Sequence, residues 1–232
     1  MITIDIHTHI LPGIDDGAVH TKEAISLLKS EVEQGVETVV LTPHFLPDEN
    51  EIDDFLQHRQ KRIGMLREAA SQLPIRLLAG AEVLYSNRIP EYASKLCIEG
   101  TPYLLIEFQS FAYPQIAIEV FRQLRHQGIV PIIAHGERYS FSGAMALMEK
   151  LVNAGALLQV NVDSILNFKL RKRIYDLADR DMIHLLASDT HSPKNRPPLW
   201  HKALPKWKKK VPGLVSYCED NILEILPKEV LK

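Results

Sequence analysis

His7, His9, Asp16, His44, Glu82, Glu107, His135, Asp189 and His191 stand at or just beyond the ends of apolar, β-rich runs. Five imidazoles and four carboxylates are metal-ligand chemistry. A strand that ends in a ligand, repeated along a chain, is how a parallel barrel aims several side chains into one mouth. His7 and His9 are two residues apart, so on extended backbone both rings project to the same side and can share an ion. Taken singly the residues carry little weight: Glu82 reads equally as a helix-capping or solvated acid, and Glu107 as a paired core carboxylate. Burying an acid between Ile106 and Phe108 is costly without a cation, however, and single-residue explanations do not account for a set at equivalent places on successive strands. Nine ligands exceed the needs of one ion. With no thiolate among them they suit Mn, Fe or Zn as divalent ions rather than a structural zinc site built on cysteine. A carboxylate can bridge, so a cluster of two or three ions is expected, at the roughly 3.5–4 Å separation of two-metal hydrolytic sites.

Something must carry these residues to one rim. Seven nearly continuous apolar runs recur: Ile2 to Ile6, Val36 to Leu41, Ile75 to Ala81, Tyr103 to Phe108, Ile129 to Ala134, Leu157 to Val162 and Ile183 to Ala187. That is how strands buried on both faces of a parallel sheet look. The last five begin 28, 26, 28 and 26 residues apart, one strand-plus-helix unit per period. Helical stripes fill the gaps. Ala24, Ile25, Leu28 and Val32 follow an N-cap at Thr21 and precede Gly35, and further stripes run through Phe55 to Leu73, Ile116 to Leu124, Ala144 to Val152 and Ile174 to Ala178. A regular barrel has eight units in about 250 residues. Seven runs in 232 residues predict an α/β fold, a distorted seven-stranded (β/α)7 TIM-like barrel, as one domain over residues 1–232. The proline-rich stretch Ser192 to Pro212 reads as irregular, and Lys208-Lys209-Lys210 within it as a solvated face.

Bulk properties narrow the function classes. Lys and Arg total 27 against 29 acids, a net charge of -2, which gives no broad basic field for nucleic acid or anionic membrane. The start of the chain lacks a cationic stretch followed by an apolar core, and no run reaches membrane-span length, so a cytoplasmic location is expected. Cys97 and Cys218 are the only cysteines. They are widely separated and in no CxxC or CxxxxxR setting, which disfavours a disulfide framework or a thiol nucleophile.

The opening Asp5-Ile6-His7-Thr8-His9-Ile10-Leu11-Pro12-Gly13-Ile14-Asp15-Asp16-Gly17 resembles that of bacterial PHP-domain (polymerase and histidinol phosphatase) proteins. Within them it is most similar to the manganese-dependent protein-tyrosine phosphatases of capsule and exopolysaccharide clusters. The likeness extends through Thr42-Pro43-His44, Ala79-Gly80-Ala81-Glu82, Leu105-Ile106-Glu107-Phe108, Ala134-His135-Gly136-Glu137-Arg138-Tyr139 and Ser188-Asp189-Thr190-His191. The resemblance implies a PHP fold and a trinuclear site, with Mn2+ as the metal. His7, His9, Glu82 and Asp189 would hold one ion, Glu82, Glu107 and His135 a second, and Asp16, His44 and His191 the third. Asp16 is the ligand because the family acid directly precedes the glycine, and Asp15 is then a turn residue. Arg138 and Arg196 match arginines that contact the substrate phosphate and join Asp189 and His191 in the catalytic set. The proton for the leaving oxygen would come from His191 or a metal-bound water. The implied partner is the phosphotyrosine-rich tail of an autophosphorylating bacterial tyrosine kinase that controls polysaccharide synthesis and export. Gly136, Phe45 and Thr190 depart from the residues many relatives carry, and none of these changes removes a ligand.

Two rivals remain at the level of sequence. A histidinol-phosphate phosphatase, or another small-molecule phosphoesterase, would use the same ligands. A barrel amidohydrolase also opens on His-x-His but is expected to carry Lys at the fourth strand end and His at the sixth, where this chain has Glu107 and Asn161.

Overall fold

The computed structural model describes residues 3–109 and 116–226. Ile2, the expected start of the first strand, lies outside the described residues. The apolar runs, with two short segments that follow the second and third of them, become β1 (Ile4–Thr8), β2 (Thr38–Leu41), β3 (His44–Phe45), β4 (Arg76–Ala79), β5 (Glu82–Leu84), β6 (Tyr103–Glu107), β7 (Val130–Ile133), β8 (Leu157–Asn161) and β9 (Leu185–Ala187). They form two sheets, β1-β2-β4 and β3-β5-β6-β7-β8-β9, and every strand pairing is parallel. This is the α/β architecture with parallel sheets that the repeat of runs predicts.

Nine strands in two sheets stand where seven in one barrel were expected, and no single closed sheet forms among the described residues. The two additional strands, β3 and β5, lie just beyond the ends of the second and third runs. Pro43 ends β2 because it has no N–H to give the ladder. At Gly80 a Cβ would come within 2.9 Å of Val40 Cγ1, so only glycine lets the end of β4 press this closely on β2. The chain crosses from the first sheet to the second at both breaks and stays abreast. Gly80 N–H donates to the Leu41 carbonyl at 2.9 Å and Glu82 N–H to the Pro43 carbonyl at 3.1 Å. His44 and Glu82 therefore lie side by side in register. On the other flank β1 and β9 meet at a parallel bridge between Thr8 and Thr190. There Asp189 N–H donates to His7 O at 2.9 Å and His9 N–H to Thr190 O at 2.8 Å.

The helices are α1 (Thr21–Glu33), α2 (Ile52–Ala69), α3 (Ala93–Leu96), α4 (Ala117–His126), α5 (Ala144–Asn153), α6 (Arg171–Ala178), α7 (Trp200–Lys210) and α8 (Leu214–Ile225). Their apolar stripes and the strands share one continuous buried cluster. Thr21 is the first helical residue rather than the cap; His20 occupies the cap position and makes no side-chain bond there. Gly35 does take the left-handed conformation, with φ 90°, which glycine adopts without a Cβ penalty. The stretch read as irregular contains α7. Trp200, Ala203, Leu204 and Trp207 are buried in it, the three-and-four spacing of an amphipathic helix, and Pro205 sits exposed on the other side. No helix among the described residues is long and apolar enough to cross a membrane.

α1 and α7 meet over a buried acid. Glu31 accepts Trp200 Nε1–H at 3.0 Å, and its carboxyl is pushed well above the usual range by burial and then by the charge of Asp5. Asp5 is itself raised to about 6, chiefly by burial. Groups whose pKa rises on folding stabilise the fold below their unfolded values near 4, and that contribution is lost as pH climbs through the folded values. Glu31→Gln keeps an acceptor for Trp200 and offers Asp5 a donor. Relative to wild type its stability should therefore improve from pH 5 to pH 8 by on the order of 2 kcal/mol, read as paired thermal melts across that range.

Candidate metal centre

All nine expected ligands converge, His44 and Glu82 from the starts of β3 and β5 and the others from the carboxyl ends of strands or the loops that follow them. His7 Nε2 lies 3.2 Å from His9 Nε2 and 3.2 Å from Glu82 Oε2. His9 Nε2 lies 3.1 Å from the same oxygen, and Asp189 Oδ1 is 3.5 Å from His7 and 3.6 Å from His9. Donor atoms at about 2.0–2.2 Å from a shared cation are about 3.0–3.6 Å from one another, so these four side chains are spaced as one coordination shell. His135 Nε2 is 2.9 Å from Glu82 Oε1 and 3.6 Å from Glu107 Oε2. His44 reaches both halves of the site, with Nδ1 at 3.1 Å from Glu107 Oε1 and 3.2 Å from Glu82 Oε2, and Nε2 at 3.4 Å from Asp16 Oδ1. His191 Nε2 lies 3.4 Å from that same Asp16 oxygen. Asp16 is the exposed member, at the mouth.

Three overlapping groups could each hold an ion: His7, His9 and Glu82; His44, Glu82 and Glu107; and His9, Asp16, His44 and His191. The expected division differs in membership: His44 stands beside Glu82 and Glu107 where His135 was expected, His9 joins Asp16, His44 and His191, and Asp189 and His135 fall in none of the three groups. His20, His58, His126, His184 and His201 stay outside the cluster; His184, for example, accepts the Leu158 N–H at 3.0 Å.

The electrostatics ask for cations. Burial alone would strip His9 of its proton, but hydrogen bonds to Asp15 and Glu82 outweigh it and hold the ring up at about 10. His135 is likewise held at about 9 against burial by Glu107 and Glu82. Glu82 stays well below the usual carboxylate range, because His7, His135 and His9 overcome its desolvation. Imidazoles kept charged by carboxylates in a buried cluster are sites where a divalent ion can replace protons. Two orphaned buried atoms point the same way, since His44 Nδ1 and His135 Nδ1 make no hydrogen bond of acceptable geometry. The donor set thus fits a metal centre.

Backbone strain gathers here too. Among the described residues His135, Asp181 and Asp189 are the only non-glycines with positive φ, at 33°, 53° and 54°, and two of them are site residues. Such conformations cost on the order of 1–3 kcal/mol and persist where surrounding structure enforces them.

A family model described as capsular polysaccharide synthesis, CpsB/CapC, matches residues 3–232. The chain belongs to the CpsB/CapC family. It is 35% identical to CapC of Staphylococcus aureus over 203 residues, covering 84% of this chain and 79% of that one. It is 32% identical to the tyrosine-protein phosphatase CpsB of Streptococcus pneumoniae over 219 residues, covering 86% and 87%. Among solved structures it is similar to one from a study of YwqE of Bacillus subtilis and CpsB of S. pneumoniae, described as metal-dependent tyrosine phosphatases. The TM-score is 0.83 and the identity 29%, with 95% of this chain and 93% of that one covered.

In this CpsB/CapC protein two arginines flank the cluster. Arg138 Nη2 and Arg196 Nη2 each donate to Asp189 Oδ2 at 2.6 Å, while their side chains are 42% and 37% exposed, so each guanidinium keeps donors open to solvent. Arg196 arrives from a loop, and Thr190 fixes it there by donating its hydroxyl to the Arg196 carbonyl at 2.8 Å. Of the other departures, Phe45 is a core residue whose ring lies tilted against Phe55 with centroids 5.0 Å apart, and Gly136 has Leu158 where a Cβ would go, at 2.7 Å.

Three site residues escaped the sequence reading. Asp15 is more than a turn former: its Oδ1 accepts Gly17 N–H at 3.0 Å, but its Oδ2 lies 2.7 Å from His9 Nδ1 and accepts His44 N–H at 3.1 Å. A carboxylate behind a ligating imidazole fixes its tautomer and orientation. Gly17 permits this fold-back, because a Cβ there would meet His9 O at 1.9 Å. The others are Gln159 and Asn161. Their signal was two amides at alternate positions of the otherwise apolar Leu157-Leu158-Gln159-Val160-Asn161, which puts both on one face of a buried strand.

Proposed function

We propose that this CpsB/CapC protein is a metal-dependent phosphomonoester hydrolase, a protein-tyrosine phosphatase that acts in the cytoplasm on the phosphotyrosine tail of a bacterial tyrosine kinase governing capsular and exopolysaccharide synthesis. The seven strand runs, with the two short strands that follow the second and third, serve as a distorted barrel, and residues 1–232 act as one metallophosphatase domain. What supports the reading is the convergence of His7, His9, Glu82 and Asp189 at coordination spacing beside two partly exposed arginines.

Two or three Mn2+ ions are the proposed cofactor, held by the nine residues His7, His9, Asp16, His44, Glu82, Glu107, His135, Asp189 and His191. Bound cations supply Lewis acidity toward phosphoryl oxygens and acidify water so that hydroxide is available near neutral pH. Arg138 and Arg196 present their open donors to two phosphoryl oxygens and offset charge there as the transition state develops. Asp189 spends Oδ2 on both guanidiniums and leaves Oδ1 facing His7 and His9, which fixes the phosphate clamp relative to the ligands. His191 Nδ1 lies 2.9 Å from the Asp189 carbonyl, which can only accept, so that nitrogen carries the hydrogen and Nε2 offers a lone pair toward Asp16. Burial and the nearby His9 push this ring down to about 4. His191 therefore serves as a ligand rather than as the acid for the leaving oxygen. A phenolate of pKa about 10 departs with less protonation than a serine alkoxide needs, which favours tyrosine over serine esters.

The cysteines take no part: burial raises Cys97 to about 11 and Cys218 to about 12, which leaves neither as a thiolate nucleophile near neutral pH. EDTA should abolish hydrolysis of phosphotyrosine, added Mn2+ should restore it, and the Cys97→Ser, Cys218→Ser double variant should keep wild-type rates. Loss of activity in that double variant, or full activity in EDTA, would overturn the mechanism. Rates on phosphoserine and histidinol phosphate that match phosphotyrosine would overturn the substrate assignment.

A further inference from the structure

β8 brings no ligand to the rim, yet it sends two buried amides, Gln159 and Asn161, into the site, and their hydrogen bonds have only one consistent direction. The backbone N–H of His135 can only donate, and it meets Gln159 Oε1 at 2.8 Å. That fixes which end of the Gln159 amide is oxygen, an assignment that is otherwise ambiguous for amides. Gln159 Nε2 must then donate, and it meets Asn161 Oδ1 at 2.8 Å. Asn161 Nδ2 is left to donate to Asp189 Oδ2 at 2.7 Å, a carboxylate oxygen that can only accept. The chain is thus polarised from end to end.

Its remaining contact is with His7. Gln159 Oε1 lies 3.2 Å from His7 Nδ1, and an oxygen with no hydrogen to give requires the hydrogen on Nδ1. With that hydrogen on Nδ1, Nε2 is the ring nitrogen left to ligate, and it faces Glu82 and Asp189. One amide oxygen accordingly sets the tautomer of His7 on β1 and holds the left-handed backbone of His135 beyond β7. Through Asn161 the same amide supplies the third donor to Asp189 Oδ2, so that Oδ1 is the oxygen aimed at His7 and His9.

We propose that Gln159 and Asn161 are positioning residues for the metal centre, a polarised amide relay that pre-orients His7, His135 and Asp189 to receive cations. The inference rests on the metal-centre reading and adds to it an assignment of which residues set the ligands' donor atoms. Partners of this kind behind metal ligands typically govern metal affinity by roughly 10–100-fold.

The test is titration of the metal-free full chain with Mn2+ alone, following free Mn2+ by electron paramagnetic resonance, alongside thermal melts without metal. Gln159→Met, similar in size but unable to accept from His7 or His135, should bind the tightest Mn2+ about 10–100-fold more weakly than wild type. Gln159→Glu keeps the accepting oxygen and should recover affinity relative to Gln159→Met. Asn161→Leu should weaken binding by less, and the double variant Gln159→Met, Asn161→Leu should bind no more weakly than Gln159→Met by itself, because the relay is already cut. A purely structural role would lower the melting temperature of the metal-free variants and leave the Mn2+ affinity of the folded protein unchanged. That pattern, or equal affinities across the series, overturns the proposal; should Gln159→Met not fold, unchanged affinity in Asn161→Leu overturns it as well. Wild-type chain that takes up no Mn2+ overturns the metal-centre reading and this inference with it.

Discussion

Glu82→Gln should cost this protein nearly all of its phosphatase activity, with kcat/KM on phosphotyrosine falling roughly 10²–10⁴-fold. Glu82 is the carboxylate that belongs to two of the three candidate metal groups. Its Oε2 stands within 3.2 Å of ring nitrogens of His7, His9 and His44, and its Oε1 lies 2.9 Å from His135 Nε2. The side chain is 1% exposed, so water cannot replace what the substitution removes. Glutamine fills the same volume but takes away the buried negative charge and puts an NH2 group against one set of imidazoles. Removing one partner from a buried charged network costs about 3–5 kcal/mol, and each 1.4 kcal/mol or so is a factor of ten in rate, which gives the range above. Bound metal should fall together with the rate. Glu107→Gln should cost less, because Glu107 is partly exposed and faces only His44 and His135. Steady-state rates with metal content on the same preparations check both, and Glu82→Gln enzyme within tenfold of wild type would contradict a shared bridging role.

The arginines should behave differently. Arg138→Ala and Arg196→Ala should each lower kcat by roughly 10²–10³, the usual effect of removing one donor aimed at developing charge, while metal content stays close to wild type. Asp189 Oδ2 keeps Asn161 and the other arginine as donors in either variant, so the ligand remains held. Lysine should not rescue either position, since a point charge cannot reproduce the planar fork. Because both guanidiniums sit on one oxygen, the double variant should lose less than the product of the single losses. Matched kcat, KM and metal measurements on the three variants distinguish this outcome from a general collapse of the site, in which metal would leave as well.

Much of this arrangement could be read in the residues. Strand ends carrying ligands are conspicuous because an acid or imidazole interrupts a run of Val, Ile and Leu, and all nine such residues meet at one rim. Their grouping was harder to see. The breaks at Pro43 and Gly80, beyond which β3 and β5 set His44 beside Glu82, depend on how closely β4 approaches β2, a tertiary distance with no local signature. α7 was masked by its prolines: Pro197 and Pro198 stop the chain just before Trp200, and Pro205 falls on the exposed side, where its missing N–H is tolerated. The Trp200, Ala203, Leu204 and Trp207 stripe was present but outweighed. Leu214, Val215, Cys218 and Ile222 of α8 carried the same spacing and went unread. Asp15 looked like turn chemistry because it does make that turn; its second oxygen, which orients His9, is visible only once Gly17 has folded the loop back. Gln159 and Asn161 failed to register because an amide has no charge to mark it as a partner of metal ligands.

Side chains from separate strands should trap divalent cations at one rim. Crystals grown with excess MnCl2 and measured on both sides of the manganese absorption edge test it most directly. The account predicts anomalous density enclosed by His7, His9, Glu82 and Asp189, with at least one further peak beside Glu107 and His135 or beside Asp16 and His191. A rim without anomalous density, with those side chains bonded only to one another and to water, would contradict it.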